Sequence, residues 1–254
     1  MSDHTMETTT DDVVQVLHPH GASGIVLVCE HASHHVPAAL QDLGLPEDMR
    51  KGHAAWDPGA LGVAEGLSQR LDAPLVASRV SRLVYDCNRP PEAPSAILEW
   101  SEGREIPGNI GLEHRIRADR VARYYLPFEA RVRAVLDTAP AQVLVTVHSF
   151  TPVFMGQRRD VEIGILHDVD TRLADAMLAR SLQHTALHVQ RNAPYGPQDG
   201  VMHTLQQHGV SRGIPNVMIE VRNDLIATFA AQAAMAQMLA DWISQSLSAV
   251  EIAA

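Results

Sequence analysis

The sequence lacks a long hydrophobic run and a recognisable leader segment. No window approaches the roughly 18 consecutive apolar residues that a membrane span requires, so no membrane association is expected. Met1–Asp12 is polar and acidic, without the basic region and following apolar region of a signal peptide. We therefore expect a flexible tail over residues 1–14 and a cytoplasmic protein.

Cysteine is scarce as well. The two thiols, Cys29 and Cys87, lie inside apolar runs and lack the CxxC spacing of redox and zinc motifs. We interpret them as buried, reduced thiols, which agrees with a cytoplasmic location.

Positive charge comes almost entirely from arginine, because Lys51 is the only lysine. The net charge of −10 gives no sign of a basic face that could neutralise phosphates, so no nucleic-acid partner is expected. The planar guanidinium group of arginine is suited to bidentate hydrogen bonding with carboxylates or phosphates. Biased codon usage would give the same arginine-rich composition.

Several catalytic motifs are absent. The chain contains no GxGxxG, Walker A, GxSxG or HExxH segment, which argues against dinucleotide, P-loop, serine-hydrolase and HExxH-type zinc chemistry. Ser149 follows His148, but it is not part of a nucleophile elbow.

Three apolar runs are present, and each ends in a polar residue of catalytic type. Runs of this kind indicate buried parallel strands, whose carboxyl ends form the ligand-binding edge of an open α/β sheet. They deliver His31, His148 and Glu220 to that edge. The first run opens the stretch Ile25–Pro37 and stops at Glu30-His31, and the other two are Gln142–His148 and Pro215–Glu220.

Strand-like runs alternate with helical patterns along the chain, which predicts the α/β class with a mostly parallel sheet. A chain of 254 residues in this class commonly forms one domain, so residues 15–254 are predicted to be a single domain.

Further strands are predicted at Leu75–Arg79, Leu83–Asp86, Val161–Leu166 and Ala186–Gln190. Helices are predicted at Gly59–Leu71, Leu112–Leu136, Asp170–Gln183 and Asp224–Leu247. The second of these segments is predicted to form two helices that meet near Pro127. Asn223 or Asp224 is predicted to cap the last helix. Loops are predicted at Trp100–Gly111 and Asn192–Gly200.

Two histidines at strand ends suggest a zinc site, because a catalytic zinc takes three N or O ligands and keeps one open position. His31 and His148 are the candidate imidazole ligands. We choose Asp57 as the third ligand, since an acidic residue before Pro-Gly lies in a turn. The alternative role for Asp57 is to cap the following helix. The alternative third ligands are His34, His35 and His53.

Glu220 is the candidate general base, because it follows an apolar strand that can tune its pKa. Its alternative role is a salt bridge to Arg222 or Arg82. Arg82 is the second predicted catalytic residue, a cation for a carboxylate or a developing oxyanion. The predicted substrate-binding residues are Asn88, Arg89, Ser149 and Arg222.

Six ordered segments carry a family resemblance. They are EHASHHVP (residues 30–37), HAAWDPGA (53–60), SRLVYDCNRP (81–90), HSFTPV (148–153), NAPY (192–195) and IEVRNDL (219–225). Together they resemble the N-formylglutamate amidohydrolase family over nearly the whole chain.

The resemblance implies a three-layer phosphorylase/hydrolase-like fold, similar to zinc carboxypeptidases, with a mostly parallel mixed sheet flanked by helices. It also implies metal-dependent hydrolysis of an N-formyl or N-acyl amino acid such as N-formyl-L-glutamate, for which we expect zinc as the metal and formate as a product. Matched by residue, it implies His31, Asp57 and His148 as metal ligands and Glu220 as the general base. The Asn-Arg pair at residues 88–89 matches the pair that holds a substrate carboxylate in the relatives. The resemblance also implies that Arg82 polarises the substrate carbonyl.

The sequence departs from the relatives at two positions. His34 replaces the glutamate of the carboxypeptidase HxxE motif, and Glu30 precedes His31 where the histidine-degradation enzymes have proline. N-formylglutamate is therefore one candidate substrate. The rivals are an amidase or peptidase acting on another acylated amino acid or a cell-wall fragment, and a non-catalytic metal- or amino-acid-binding paralogue. The sequence predicts no oligomeric state.

Overall fold

A computed structural model describes residues 13–138 and 143–250. Within this part of the chain, eleven strands form one seven-stranded sheet and two small hairpins. The strands are β1 (Val14–Leu17), β2 (Ile25–Cys29), β3 (Leu75–Ser78), β4 (Trp100–Ser101), β5 (Arg104–Glu105), β6 (Val143–Phe150), β7 (Val153–Phe154), β8 (Gln157–Arg158), β9 (Ile163–Leu166), β10 (Val189–Arg191) and β11 (Asn216–Arg222).

The order of the large sheet is β1-β3-β2-β6-β11-β9-β10. Its four central strands, β3, β2, β6 and β11, run parallel, whereas β1 and β9 are antiparallel to their inner neighbours. Strands β2, β6 and β11 are buried along their whole length, as their apolar runs predict. The predicted α/β class with a mostly parallel mixed sheet is confirmed.

Helices cover both faces of this sheet. They are α1 (Glu47–Lys51), α2 (Ala60–Leu71), α3 (His114–Arg120), α4 (Leu126–Thr138), α5 (Arg172–Leu178), α6 (Ser181–His184) and α7 (Phe229–Leu247). On one face α2, α5 and α7 bury residues such as Leu67, Met177 and Trp242, and on the other α4 buries Phe128 and Val132. The sheet therefore lies between two helical layers. No helix in the described ranges is both long and apolar enough to cross a bilayer.

The helix predicted at Gly59–Leu71 forms as α2, since its apolar residues repeat at helical spacing and face the sheet. The cap predicted for the last helix is wrong. Helix α7 begins at Phe229, and the Thr228 hydroxyl accepts a hydrogen bond from the Ala231 N–H at 3.2 Å. Asn223 and Asp224 lie instead in a separate 3₁₀ turn, Asn223–Ile226.

The strand predicted at Leu83–Asp86 does not form. Ser81 competes for the backbone: its hydroxyl accepts from Leu83 N–H at 3.1 Å, and its carbonyl accepts from Val84 N–H at 2.9 Å. These bonds turn the chain here, and the turn brings Asp86 towards His31.

Two more boundaries differ from prediction. Strand β1 starts at Val14, the last residue of the predicted tail, and the tail's residues 1–12 lie outside the described residues. The predicted loop Trp100–Gly111 contains the hairpin β4–β5. The single domain predicted over residues 15–254 stays a prediction.

The helices predicted at Leu112–Leu136 are α3 and α4, joined through a π-helical turn at Val121–Tyr125. The irregular turn ends two residues before Pro127, which has no N–H to donate to the preceding turn. The helix predicted at Asp170–Gln183 likewise forms as two short helices, α5 and α6.

Candidate active site

Three predicted ligand residues converge at the carboxyl edge of the central strands. His31 follows β2, His148 lies in β6, and Asp57 lies in the turn before α2. His148 Nδ1 lies 3.2 Å from His31 Nδ1 and 3.0 Å from Asp57 Oδ2, and His31 Nδ1 lies 3.3 Å from the same oxygen. One ligand atom from each residue therefore points at a common position, and all three residues are buried.

The backbone fixes Asp57 in this position. Its N–H donates to the His31 carbonyl at 2.9 Å, and Ser149 N–H donates to its Oδ2 at 3.2 Å. The alternative role of Asp57 as a helix cap is not observed, because Gly59 is the N-cap of α2 and no side chain caps it. Asp57 instead directs its carboxylate at the two histidines.

The far side of each histidine ring contacts a carboxylate. His31 Nε2 lies 2.7 Å from Asp86 Oδ1, and His148 Nε2 lies 3.1 Å from Glu30 Oε2, although this second contact is not aligned as a hydrogen bond. A carboxylate at Nε2 favours the proton there and leaves the Nδ1 lone pair for a cation, as in carboxylate–histidine–metal arrangements. Two imidazoles and a carboxylate in this arrangement fit a divalent cation such as zinc.

The electrostatics of the cluster favour positive charge. Burial raises the pKa of Asp57, but Arg82 and His31 outweigh it and hold that pKa well below its usual range. Burial lowers the pKa of His148, but Glu30 and Asp57 outweigh it and raise that pKa. The surrounding carboxylates therefore favour the binding of positive charge at this cluster, whether a proton or a metal cation.

Glu220 lies on β11 directly across from His148 on β6. Burial raises the pKa of Glu220 to about 7, although His148 lowers it and Asp57 raises it further. Its Oε2 is buried, and no described residue forms a hydrogen bond with it. The alternative salt bridges do not form, since Arg222 pairs with Glu162 and Asp224 and Arg82 pairs with Asp57. A carboxylate with such a pKa beside a metal position is suited to proton transfer.

Arg82 lines the site, but most of its donors are already engaged. Its Nη2 donates to Asp57 Oδ1 and to the carbonyls of His53 at 2.8 Å and Trp56 at 3.0 Å. Its Nη1 lies 3.3 Å from His31 Nδ1. Arg82 therefore fixes Asp57 and the preceding loop and faces the position where the three ligand atoms meet.

Asn88 and Arg89 lie on the cavity wall and hold the segment around residue 200. Asn88 Nδ2 donates to the Val201 carbonyl at 2.6 Å, and its Oδ1 accepts from Thr204 N–H at 3.0 Å. Arg89 Nη1 donates to the Gly200 carbonyl at 2.6 Å. The Asn88 amide is thus engaged with backbone, and Arg89 remains the residue of the pair with a guanidinium edge for a ligand.

Two other predicted residues have different surroundings. Ser149 lines the cavity, and its hydroxyl donates to the Pro58 carbonyl at 2.9 Å. Arg222 is not brought to the cavity: it pairs with Asp224 and Glu162, because strand β11 ends there and its side chain turns towards these acids. We therefore do not retain Arg222 as a substrate-binding residue.

The alternative third ligands lie elsewhere. His53 Nε2 contacts Glu102 Oε1 at 2.5 Å, and the His34 ring packs 4.9 Å from the Trp56 ring. His35 is exposed. Among the described residues, Asp57 is the one that joins His31 and His148 in a ligand cluster.

The site opens into a cavity of about 390 Å³. Sequence reasoning missed Glu30 and Asp86 as the carboxylate partners of the histidines. It also missed Trp100, Phe154 and Tyr195 as cavity-lining aromatic residues. An acidic residue next to a candidate ligand was a usable signal for Glu30. Asp86 is 55 residues from its partner, and no spacing rule predicts that contact.

Two proteins of solved structure and one protein family are similar to this chain. A gene product of Agrobacterium tumefaciens with a solved structure is 51% identical, at a TM-score of 0.91, over 94% of this chain and 96% of that one. The N-formylglutamate amidohydrolase from Ralstonia eutropha JMP134 is 19% identical, at a TM-score of 0.68, over 92% of this chain and 98% of that one, which shows a shared fold. A search of curated proteins gave no match. The family described as N-formylglutamate amidohydrolase matches residues 23–227, most of the described chain, so this chain belongs to the N-formylglutamate amidohydrolase family.

Proposed function

We propose that the protein hydrolyses the amide bond of an N-formyl or N-acyl amino acid, at a zinc ion held by His31, Asp57 and His148. The observation that carries this proposal is the convergence of three ligand atoms beside Glu220, an unpaired buried carboxylate, in one cavity. Family membership and the activity for which the Ralstonia eutropha protein is named support the substrate class. Two buried, unpaired thiols support a reducing compartment such as the cytoplasm.

The donor set fits zinc, because it offers two imidazole nitrogens and one carboxylate oxygen, with carboxylates behind both rings. When bound, zinc supplies a Lewis acid that polarises a carbonyl and makes water more acidic.

Glu220 acts as the general base. It takes a proton from the attacking water as the new C–O bond forms, and it returns that proton to the nitrogen as the C–N bond breaks. The products are formate, or another carboxylate, and the free amino acid.

Substrate is oriented by the arginine and amide side of the cavity. Arg89 binds the α-carboxylate through its guanidinium edge, and Asn88 holds the backbone of residues 201–204 that completes this wall. Arg82 keeps Asp57 ionised and places positive charge beside the developing oxyanion. Ser149 helps to hold Asp57 through its backbone N–H.

Metal content and formate release, measured on one preparation, test this proposal. The protein is purified without added metal, its zinc is quantified, and N-formyl amino acids are assayed with and without a chelator. We expect about one zinc per chain and chelator-sensitive formate release. If the protein shows no bound zinc and no formate release even after zinc reconstitution, the proposal is contradicted. Bound zinc without release from any N-acyl substrate would indicate a binding protein instead of a hydrolase.

A further inference from the structure

Three aromatic rings line the cavity around one arginine that lies behind them. The Arg159 guanidinium lies 4.6 Å from the centre of the Phe154 ring, 5.0 Å from that of Tyr195 and 5.6 Å from that of Phe150. All three rings contribute to the cavity lining. We call Phe150, Phe154 and Tyr195 the aromatic wall.

The aromatic wall is held rigidly by Arg159. Arg159 Nη2 donates to the Tyr195 hydroxyl at 3.0 Å, and its backbone N–H donates to the Pro152 carbonyl at 2.9 Å. Arg222, although it is not at the cavity, donates from Nη1 to the Arg159 carbonyl at 3.3 Å. Since the Arg159 charge is directed at ring faces and the Tyr195 oxygen, the cavity receives the rings rather than the cation.

A second hairpin adds more apolar surface to the same cavity. Trp100, on β4, is 54% exposed, and Phe154, on β7, is 38% exposed. Large apolar groups left exposed beside a cleft are a common sign of a binding surface. Leu98, Val201 and Met218 also line the cavity, so its apolar portion extends beyond the aromatic wall.

The charges that line the cavity suit a ligand with one carboxylate. The lining acids are Asp57, Asp86, Glu102, Asp199 and Glu220, whereas the lining arginines are Arg82 and Arg89. Arg82 is paired with Asp57, and Arg89 Nε lies 4.0 Å from Asp86 Oδ2, which leaves Arg89 Nη2 to bind an α-carboxylate. A second carboxylate, as on a glutamyl side chain, would meet apolar rings and acidic groups, because Arg159 donates to the Thr151 carbonyl and the Tyr195 hydroxyl and does not line the cavity.

We propose that the preferred substrate carries a single carboxylate and an apolar, aromatic side chain that packs on the aromatic wall and Trp100, in preference to the dicarboxylate N-formyl-L-glutamate. This inference rests on the proposed function and narrows its substrate class. Apolar burial and ring stacking supply the selectivity.

Paired kinetics test this inference on the zinc-loaded full-length protein. We expect kcat/KM for N-formyl-L-phenylalanine to exceed that for N-formyl-L-glutamate by about tenfold or more. Phe154→Ala should lower the first value by about fivefold to tenfold and leave the second nearly unchanged. Val153→Ala is the matched control, since Val153 is 50% exposed on the same hairpin and does not line the cavity. Equal or better turnover of N-formyl-L-glutamate, or equal effects of Phe154→Ala on both substrates, would overturn the inference.

Binding separates failure of this inference from failure of the proposed function. Calorimetry on zinc-loaded Glu220→Gln, with and without Phe154→Ala, measures the affinity for both compounds without turnover. If the protein hydrolyses no N-acyl amino acid, the proposed function fails; tighter binding of N-formyl-L-phenylalanine through Phe154 would then still support the ligand class assigned to the aromatic wall. No such preference in binding would overturn the inference even in an active hydrolase.

Discussion

At the residue scale, the site consists of candidate metal-ligand atoms and the groups that orient them. His31 and His148 were predictable, because each follows or ends an apolar run that forms a central strand. Asp57 was predictable as one of several candidates, and its place beside the two histidines depends on the turn before α2. Asp86 was not predictable as a histidine partner, because local hydrogen bonds to Ser81 replace the expected strand.

Asp86 should control metal affinity without being a ligand. Asp86→Asn keeps the shape of the side chain but removes the carboxylate that lies 2.7 Å from His31 Nε2. Because that carboxylate fixes the ring and its tautomer, we expect zinc affinity to fall roughly 10–100-fold, measured by competition with a chromophoric chelator. Glu102→Gln is the control, since it neutralises another acid of the cavity lining that contacts His53 instead. Unchanged zinc affinity in Asp86→Asn would remove Asp86 from the metal site.

At the scale of elements, α2, which follows the turn that bears Asp57, packs closely against α7. Gly66 in α2 faces Ala236 in α7, and a Cβ added at Gly66 would lie 2.6 Å from the Ala236 Cβ. The helical period of α2 was predictable, but this close approach was not, because it depends on the other helix. Pro127 likewise predicted a break in the long α3–α4 segment, but not the π-helical form of the junction.

Gly66→Ala should therefore destabilise the protein although alanine is the better helix former. The gain in helix propensity is about 1 kcal/mol, whereas overpacking costs about 1–3 kcal/mol. We expect a net loss of about 1 kcal/mol in the free energy of unfolding, measured by urea denaturation. Adding Ala236→Gly removes the opposing Cβ, so the double variant should be more stable than the sum of the single effects. Additive effects of the two substitutions on the free energy of unfolding would contradict this explanation, because they would show that the two Cβ atoms do not interact.

At the scale of the whole molecule, the alternation of strands and helices predicted the α/β class, whereas the order of the strands in the sheet could not be predicted from the sequence. The antiparallel placement of β1 and β9 depends on pairing between residues far apart in the chain. The cavity is also a property of the whole molecule, because its lining combines the sheet edge, two hairpins and the segment around residue 200.

The contribution of His208 to the free energy of unfolding should be lost in mild acid. Burial lowers the pKa of His208 to about 4, with Arg212 and His203 lowering it further and Glu30 opposing them. The unfolded chain has a histidine pKa of about 6.5 and so binds the proton first. His208 therefore contributes stability above about pH 6.5, and that contribution is lost as the pH falls towards 4.

The expected loss at His208 between pH 7 and pH 5 is about 2 kcal/mol in the free energy of unfolding. His208→Gln lacks this contribution, so its free energy of unfolding relative to that of the wild type should rise by about 2 kcal/mol from pH 7 to pH 5, whatever its stability at pH 7. His20→Gln, at an exposed position, is the control and should retain the wild-type dependence. Parallel pH curves for wild type and His208→Gln would contradict the assignment.

The central claim is that Glu220 moves the proton at a metal held by other residues. The most direct test measures zinc content and turnover together in Glu220→Gln, which keeps the size of the side chain and removes its basicity. We predict wild-type zinc content and a loss of kcat of about 100-fold or more. Loss of zinc would make Glu220 a ligand, and retained turnover would show that another group is the base; either result would contradict the account.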